Sequence, residues 1–313
     1  MKVEISAGTK NGNNDTMCKE ALMGAKEMGA EVEFIRLHDL DLKHCTGCIA
    51  CVKALMSGKG NICALKDDFE WLKDKMFDAD GIIVAVPIFE KGAAGIFHTV
   101  VDRFGPRMDY GNNYGNNVVA KKIAEETGGK EPDPRHFKKK VISYISIGGS
   151  DWVTRAQCDC EMLSMTPMWT TIDNEVFPWS KNIIMEDEKV KRVHEIGKNI
   201  ALAAKDVENA EYQGDKGMCP HCHSRNFYFH NDGAVSCCLC GIKGKMEIEN
   251  NEMKFVFPEE QLEHAHNTLS GKFIHMNDIK TNESKLMETK KSEEYKNRLN
   301  KYMSFIEPSK PAN

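Results

Sequence analysis

The chain has 313 residues, 41% hydrophobic and 28% charged, a balance that gives one large or two ordinary globular domains and excludes global disorder. The 42 Lys and Arg against 47 Asp and Glu leave a formal net charge of -5, so no whole-chain basic field draws it to nucleic acid or an anionic membrane. No apolar run reaches the roughly 18 residues of a spanning helix, and the first residues lack the charged and apolar regions of a signal peptide, so the expected location is the cytoplasm.

The first expected strand, residues 3–5, runs into Ser6-Ala7-Gly8-Thr9-Lys10-Asn11-Gly12-Asn13-Asn14-Asp15-Thr16 and a helix over 16–28. A loop of small, hydroxyl and amide side chains opening a helix can ring a phosphate monoester with backbone N–H groups, aided by the helix dipole. A polar turn and helix cap is the bland alternative. The loop has neither Gly-x-Gly-x-x-Gly nor Gly-x-x-x-x-Gly-Lys-Ser/Thr, which argues against a dinucleotide or NTPase site and leaves a mononucleotide phosphate such as that of FMN.

An alternating strand over 32–37 follows, and then the first of two tight cysteine sets among the 12 cysteines. Cys45, Cys48 and Cys51 place three thiols within seven residues, suited to one face of a [4Fe-4S] cube with Cys63 as fourth ligand. The alternative is a reduced cysteine patch without metal. In a reducing compartment such sets are more often metal sites than disulfides.

A helix over 67–77 leads to an apolar strand over 82–86, the turn Pro87-Ile88-Phe89-Glu90-Lys91-Gly92 and a helix over 93–104. This turn falls where the order of the sheet should reverse, the place where such folds bind ligands. Its backbone amides and aromatic side chain suit a flat ring, and Gly92 lets the chain come close. Residues 107–140, rich in Gly and Asn from Tyr110 to Asn117, read as a solvated loop or a substrate lid. A strand over 141–147 ends in the side-chain-free turn Gly148-Gly149-Ser150, followed by a helix over 152–165, a strand over 171–177 and a helix over 187–207. Five strands with intervening helices predict an α/β fold, a doubly wound five-stranded parallel sheet in the order 2-1-3-4-5, over residues 1–210.

Beyond Gly214, Cys219-x2-Cys222 and Cys237-x2-Cys240, fourteen residues apart, flank Phe227-Tyr228-Phe229-His230 and the turn Asn231-Asp232-Gly233. Two such knuckles predict a zinc-ribbon hairpin over 215–250 tied by a four-thiolate site, with iron in a rubredoxin-type arrangement as the alternative. So small a module needs a staple to fold. His221, His223 and His230 lie close enough to substitute as ligands. Residues 251–313 read as a helical extension.

Residues 1 to about 205 resemble the iron–sulfur flavoprotein branch of the NADPH-dependent FMN reductase family. The likeness rests on Lys10-Asn11-Gly12-Asn13, the Cys45/Cys48/Cys51/Cys63 set, Lys66-Asp67-Asp68-Phe69, Ala79-Asp80-Gly81-Ile82-Ile83-Val84, Pro87-Ile88-Phe89, Val101-Asp102-Arg103 and Gly148-Gly149. It implies a flavodoxin-like fold with the FMN phosphate at Ser6, Thr9, Lys10, Asn11, Asn13 and Asn14. The ring would sit against Pro87, Ile88, Phe89, Lys91, Gly92, Gly148 and Gly149. Ala7, Thr9 and Phe89 stand where serine, arginine and tyrosine are usual, and the first two remove phosphate contacts. The spacing to Cys63 is longer than the family's. The resemblance further implies a cluster that relays single electrons to or from FMN, and a homodimer or higher oligomer.

The function expected is therefore an FMN-dependent oxidoreductase. NAD(P)H or ferredoxin is the donor, and the acceptor is small: a quinone, a nitro or enone compound, or an oxygen species. An electron carrier without its own substrate is one alternative. A redox-sensing regulator whose ribbon uses Arg225, Lys243 and Lys245 on nucleic acid is another. Lesser candidates are a thiolate at Cys158 or Cys160, a proton donor among Asp109, Tyr110 and Tyr114, and Trp152, Trp169 and Trp179 as core or pocket-lining aromatics.

Overall fold

The computed structural model describes residues 2–311 and divides into two compact units, one running to Lys272 and one from Phe273. In chain order the first unit contains β1 (Lys2–Ser6), α1 (Asn13–Glu27), β2 (Val32–Arg36), α2 (Ala50–Leu55), α3 (Phe69–Asp78), β3 (Gly81–Phe89) and β4 (Gly92–Ala93). It continues with α4 (Gly95–Met108), α5 (Tyr110–Thr127), β5 (Val141–Ile147), α6 (Ala156–Met165), β6 (Thr170–Phe177) and α7 (Asp187–Ala203). A small module follows, with β7 (Phe227–Phe229), β8 (Ala234–Cys237), β9 (Lys243–Glu249) and β10 (Glu252–Val256). Last come α8 (Leu269–Lys291) and α9 (Glu293–Met303).

The main sheet runs β2-β1-β3-β5-β6, all parallel, with the two-residue β4 folded back antiparallel on the end of β3. This is the expected doubly wound order. β5 is buried along its whole length and β3 up to Val86, as apolar runs covered on both faces must be. One face packs α3, α4 and α6 through Phe69, Leu72, Phe97, Phe104 and Leu163; the other packs α1 and α7 through Met17, Ala21, Val193, Ile196 and Ile200. Because the chain leaves β1 for β2 and then crosses to β3, the crevice opens at the carboxyl ends of β1 and β3.

The Gly/Asn-rich stretch, expected as a loop or lid, is instead the helix α5. Asn and Gly are poor helix formers, yet the ends are well capped. The Asp109 carboxylate accepts the N–H of Asn112 at 2.8 Å, and Gly128 closes the helix in the left-handed conformation. Inside, the buried Asn113 amide donates to the carbonyls of Arg107 and Asp109 at 3.0 and 2.9 Å and accepts from Asn61 at 2.8 Å. Tertiary hydrogen bonding thus overrides propensity.

The small module is an antiparallel sheet in the order β10-β9-β8-β7. It runs past residue 250, into what was expected to be helical extension. Asn250 and Asn251 both take positive φ, so they form a two-residue hairpin turn, and Phe255 returns to stack on Phe227 at 4.0 Å. The expected tail helices are α8 and α9; Ser292 caps α9 by accepting the N–H of Tyr295.

Candidate functional site

The first turn is organised from beneath by a residue the sequence reading passed over. Asp15, buried in the first turn of α1, accepts the Ser6 hydroxyl at 2.7 Å and the N–H of Asn11 at 3.0 Å, and pairs with Arg36 at 2.6 Å. Burial raises its pKa, but Arg36, Ser6 and the Asn11 amide outweigh it and hold the carboxyl below its ordinary range. Ser6 is therefore a buried strut, its oxygen also accepting the Gly8 N–H at 3.1 Å. Asn13 is a strut too, donating to the carbonyls of Ser180 and Lys181 at 3.3 and 2.9 Å. Thr9, Lys10 and Asn11 are exposed, with Asn11 at φ 59°.

These features fit a phosphate. The N–H groups of the first helical turn have no intrahelical acceptor and open outward at the positive end of the dipole. Within this turn the buried Asn14 amide oxygen has no partner, and a half-rotation of that amide presents a donor instead. A Cβ at Gly8 would lie 2.6 Å from Asn14 Cβ, so Gly8 keeps the cradle open.

Two further turns stand on the same rim. Glu90 and Lys91, at φ 48° and 72°, make a strained two-residue hairpin between β3 and β4, and Phe89 projects from it 65% exposed. The hairpin is fixed from α6, because Asp159 Oδ2 accepts the Ala93 N–H at 3.1 Å and lies where a Cβ at Gly92 would be, 2.2 Å away. His98 Nε2 lies 3.7 Å from the same oxygen. Gly148 donates its N–H to Phe177 O, and a Cβ there would meet Val153 at 2.7 Å. Trp152 and Trp179 stand at this end as well, 59% and 66% exposed, whereas Trp169 is core, edge-on to Phe104. Asp15, Asp159 and Arg36 carry no sequence motif; only the fold brings them to the site.

The first cysteine set is not drawn together. Cys45 and Cys48 are exposed in a segment without regular structure, Cys51 is half-buried in the first turn of the short α2, and Cys63 is half-buried beyond that helix. Its flanks are fixed instead by buried arginines: Arg103 pairs with Asp67 at 2.5 Å and donates to Lys43 O at 2.8 Å, while Arg107 donates to Asn61 O and pairs with Glu70. The Lys66-Asp67-Asp68-Phe69 and Val101-Asp102-Arg103 motifs thus meet in an ion pair, with Arg103 over the Phe69 ring. Cys48 is held below the usual thiol range, chiefly by the Ala50 N–H, whereas burial pushes Cys51 up. Among the described residues, these four sulfurs are not gathered at one point.

The second set does converge. Among the described residues, Cys219, Cys222, Cys237 and Cys240 are the only group placed to hold a metal ion, all buried with their sulfurs within 4.8 Å of one another. The Cys222–Cys237 and Cys219–Cys240 sulfurs are 3.5 and 3.8 Å apart, close to the edge of about 3.8 Å of a tetrahedron with bonds near 2.3 Å. Hydrogen bonding among the sulfurs holds Cys219 and Cys237 below the ordinary thiol range. The neighbouring histidines are engaged elsewhere: His221 with Asn267, His223 stacked on Tyr212 and His230 with Ser236.

The lesser candidates resolve as structure. Burial pushes the Cys158 and Cys160 thiols up to about 12, so neither supplies a thiolate. Asp109 caps α5 and pairs with Lys272, and Tyr110 and Tyr114 stack on each other and on the edge of Phe137. A cavity of about 260 Å³ lies away from the rim, between α6 and the small module, walled by Glu161, Trp169, Tyr212, His221 and His223.

The family model for NADPH-dependent FMN reductases matches residues 1–179, more than half of the chain. A solved flavone reductase is 58% identical, with each chain fully covered by the other and a TM-score of 0.87. A flavone synthase from Aspergillus candidus is 27% identical over 290 residues, 88% of this chain and 87% of its own. An iron–sulfur flavoprotein from Methanocaldococcus jannaschii is 35% identical over 145 residues, 45% of this chain and 71% of its own. No helix among the described residues is long and apolar enough to cross a membrane.

Proposed function

Since this chain belongs to the NADPH-dependent FMN reductase family and is an FMN-dependent oxidoreductase, we propose that its acceptor is a planar conjugated ketone of the flavone class, reduced with electrons from NAD(P)H. The full-length likeness to a flavone reductase is the observation that carries this reading. The overall change consumes NAD(P)H and one proton and saturates the carbon–carbon double bond conjugated to the ketone, leaving NAD(P)+. Bound FMN supplies the two-electron hydride chemistry between the two substrates.

The chain's own part is binding and alignment. The turn receives the FMN phosphate on the backbone N–H groups of Thr9, Lys10 and Asn14, with Asn11 tied to Asp15 beneath it, Ser6 and Asn13 as its struts and Lys10 as the nearby cation. Pro87, Ile88, Phe89, Lys91, Gly92, Gly148 and Gly149 form the rim for the ring, where absent side chains let the backbone approach. Asp159 holds the Ala93 end of that rim in register. Each positioned group lowers the barrier by orientation rather than by chemistry of its own.

The Cys219/Cys222/Cys237/Cys240 set holds a structural zinc that staples the module of residues 215–256, which follows the flavodoxin-like domain of residues 1–210 in the chain. Steady-state oxidation of NADPH and NADH by the FMN-loaded chain tests the acceptor. Flavone turned over with kcat/KM above that for a simple quinone and a nitroarene is the expected outcome; flavone reduced no faster than by free reduced FMN would refute the reading.

A further inference from the structure

We propose that Trp152 and Trp179 are the acceptor-binding pair, two indole faces that hold a planar fused-ring phenolic ketone over the flavin rim. This rests on the reading of the acceptor above. Both indoles are exposed on adjacent loops that follow the carboxyl ends of β5 and β6, and the exposed Phe89 ends the neighbouring strand β3. Large aromatics grouped in the open mark ligand sites.

The backbone that presents them is held against its own preferences. Trp179 has φ 55°, a left-handed conformation that a bulky residue adopts only when the surroundings impose it. Here they do. The Trp179 N–H donates to Ser150 O at 3.3 Å, the Ser180 N–H to Gly148 O at 2.8 Å, and Lys189 Nζ to the Ser180 hydroxyl at 2.7 Å. Asn13 of the phosphate turn donates to Ser180 O, so the strained turn is locked to the phosphate site.

Trp152 is tied to the other side of the same rim. Its N–H donates to the Ser150 hydroxyl at 3.2 Å, and the Lys91 ammonium lies 5.0 Å from its ring centroid. Lys91 O in turn accepts the Arg155 N–H at 2.9 Å. One serine therefore anchors both tryptophan loops, and each loop is joined to a different part of the flavin site. A conjugated ketone with fused aromatic rings has two flat faces to offer, and offset stacking on indole recognises that shape without needing a hydrogen bond.

The test uses the full-length, FMN-loaded chain. Trp152→Ala and Trp179→Ala each raise KM for flavone about tenfold, as loss of one aromatic stack predicts, with kcat changed much less. KM for ferricyanide, which has no ring face, does not follow. Trp→Phe variants recover most of the loss. Trp71→Ala, an exposed tryptophan on α3, leaves the flavone KM unchanged.

Flavone binding is also read without turnover, as the shift of the oxidised flavin spectrum. If the wild type binds flavone but does not reduce it, the acceptor reading fails, while loss of the shift in both alanine variants still supports the pair. Unchanged KM and unchanged spectral shift in the variants, no shift in the wild type, loss of FMN, or a change of oligomeric state in place of a KM effect overturns the inference.

Discussion

Cys219, Cys222, Cys237 and Cys240 converge on one buried point, whereas Cys45 and Cys48 are exposed, Cys51 and Cys63 half-buried, and the four are not gathered together. Both sets have close thiol spacing, and the frame separates them. The converging knuckles are closed by a hairpin, with β8 ending in Cys237, and by turns such as His223 N–H to Cys219 O and Gly241 N–H to Cys237 O. In the spread set the Gly47 N–H reaches Cys45 Sγ at 3.5 Å and the Ala50 N–H the Cys48 thiol, but no hairpin among the described residues ties the four together, and buried arginines fix the flanks. Spacing reports that thiols are available, and backbone closure decides whether they meet.

The largest expected effect breaks the buried set. Cys222→Ser removes a ligand from the proposed zinc site, and a structural zinc contributes on the order of 10 kcal/mol to folding of such modules. The variant should lose its zinc and become open to trypsin within residues 215–257. Cys48→Ser, by contrast, should change global stability by less than about 0.5 kcal/mol, as an exposed substitution does. About four iron atoms per chain after anaerobic purification, lost in Cys48→Ser, would break the contrast between the sets.

The next effect falls on the frame of the spread set. Asp67→Ala leaves the Arg103 guanidinium buried without its carboxylate and should cost about 3–5 kcal/mol in denaturant unfolding. A cost under about 1 kcal/mol would mean that something other than this ion pair holds the flanks.

The smallest effect is chemical. A thiol with a lowered pKa carries more thiolate at neutral pH, so iodoacetamide should modify Cys48 before the other cysteines. Its rate should fall as pH drops through that lowered value, below the ordinary thiol range. Cys158 and Cys160, at about 12, should stay unmodified at pH 8, and the four converging cysteines should react only after a chelator is added. Mass spectrometry of the alkylated peptides checks all three.

The fold was largely legible because its signals are local. Apolar runs such as Val141-Ile142-Ser143-Tyr144-Ile145 become fully buried strands, and the two knuckles of the small module meet as their spacing predicts. The rest depended on partners distant in sequence. Helix α5 forms because Asn113 finds Asn61, and the turn after β1 keeps its shape because Asp15 finds Arg36. Asp159 reaches Ala93 across 66 residues, a pairing that no local pattern announces. The hairpin at Asn250 and Asn251 did carry a turn signal, masked by the charged composition around it.

The central claim, that the turn from Gly8 to Asn14 receives the phosphate of a flavin nucleotide, is tested most directly by equilibrium binding of FMN and riboflavin to the full-length chain. One FMN per chain, bound at least about tenfold tighter than riboflavin, with that preference lost when Gly8→Ala drives a methyl into Asn14, is the predicted result. Equal affinity for the two flavins, unchanged by Gly8→Ala, would contradict it.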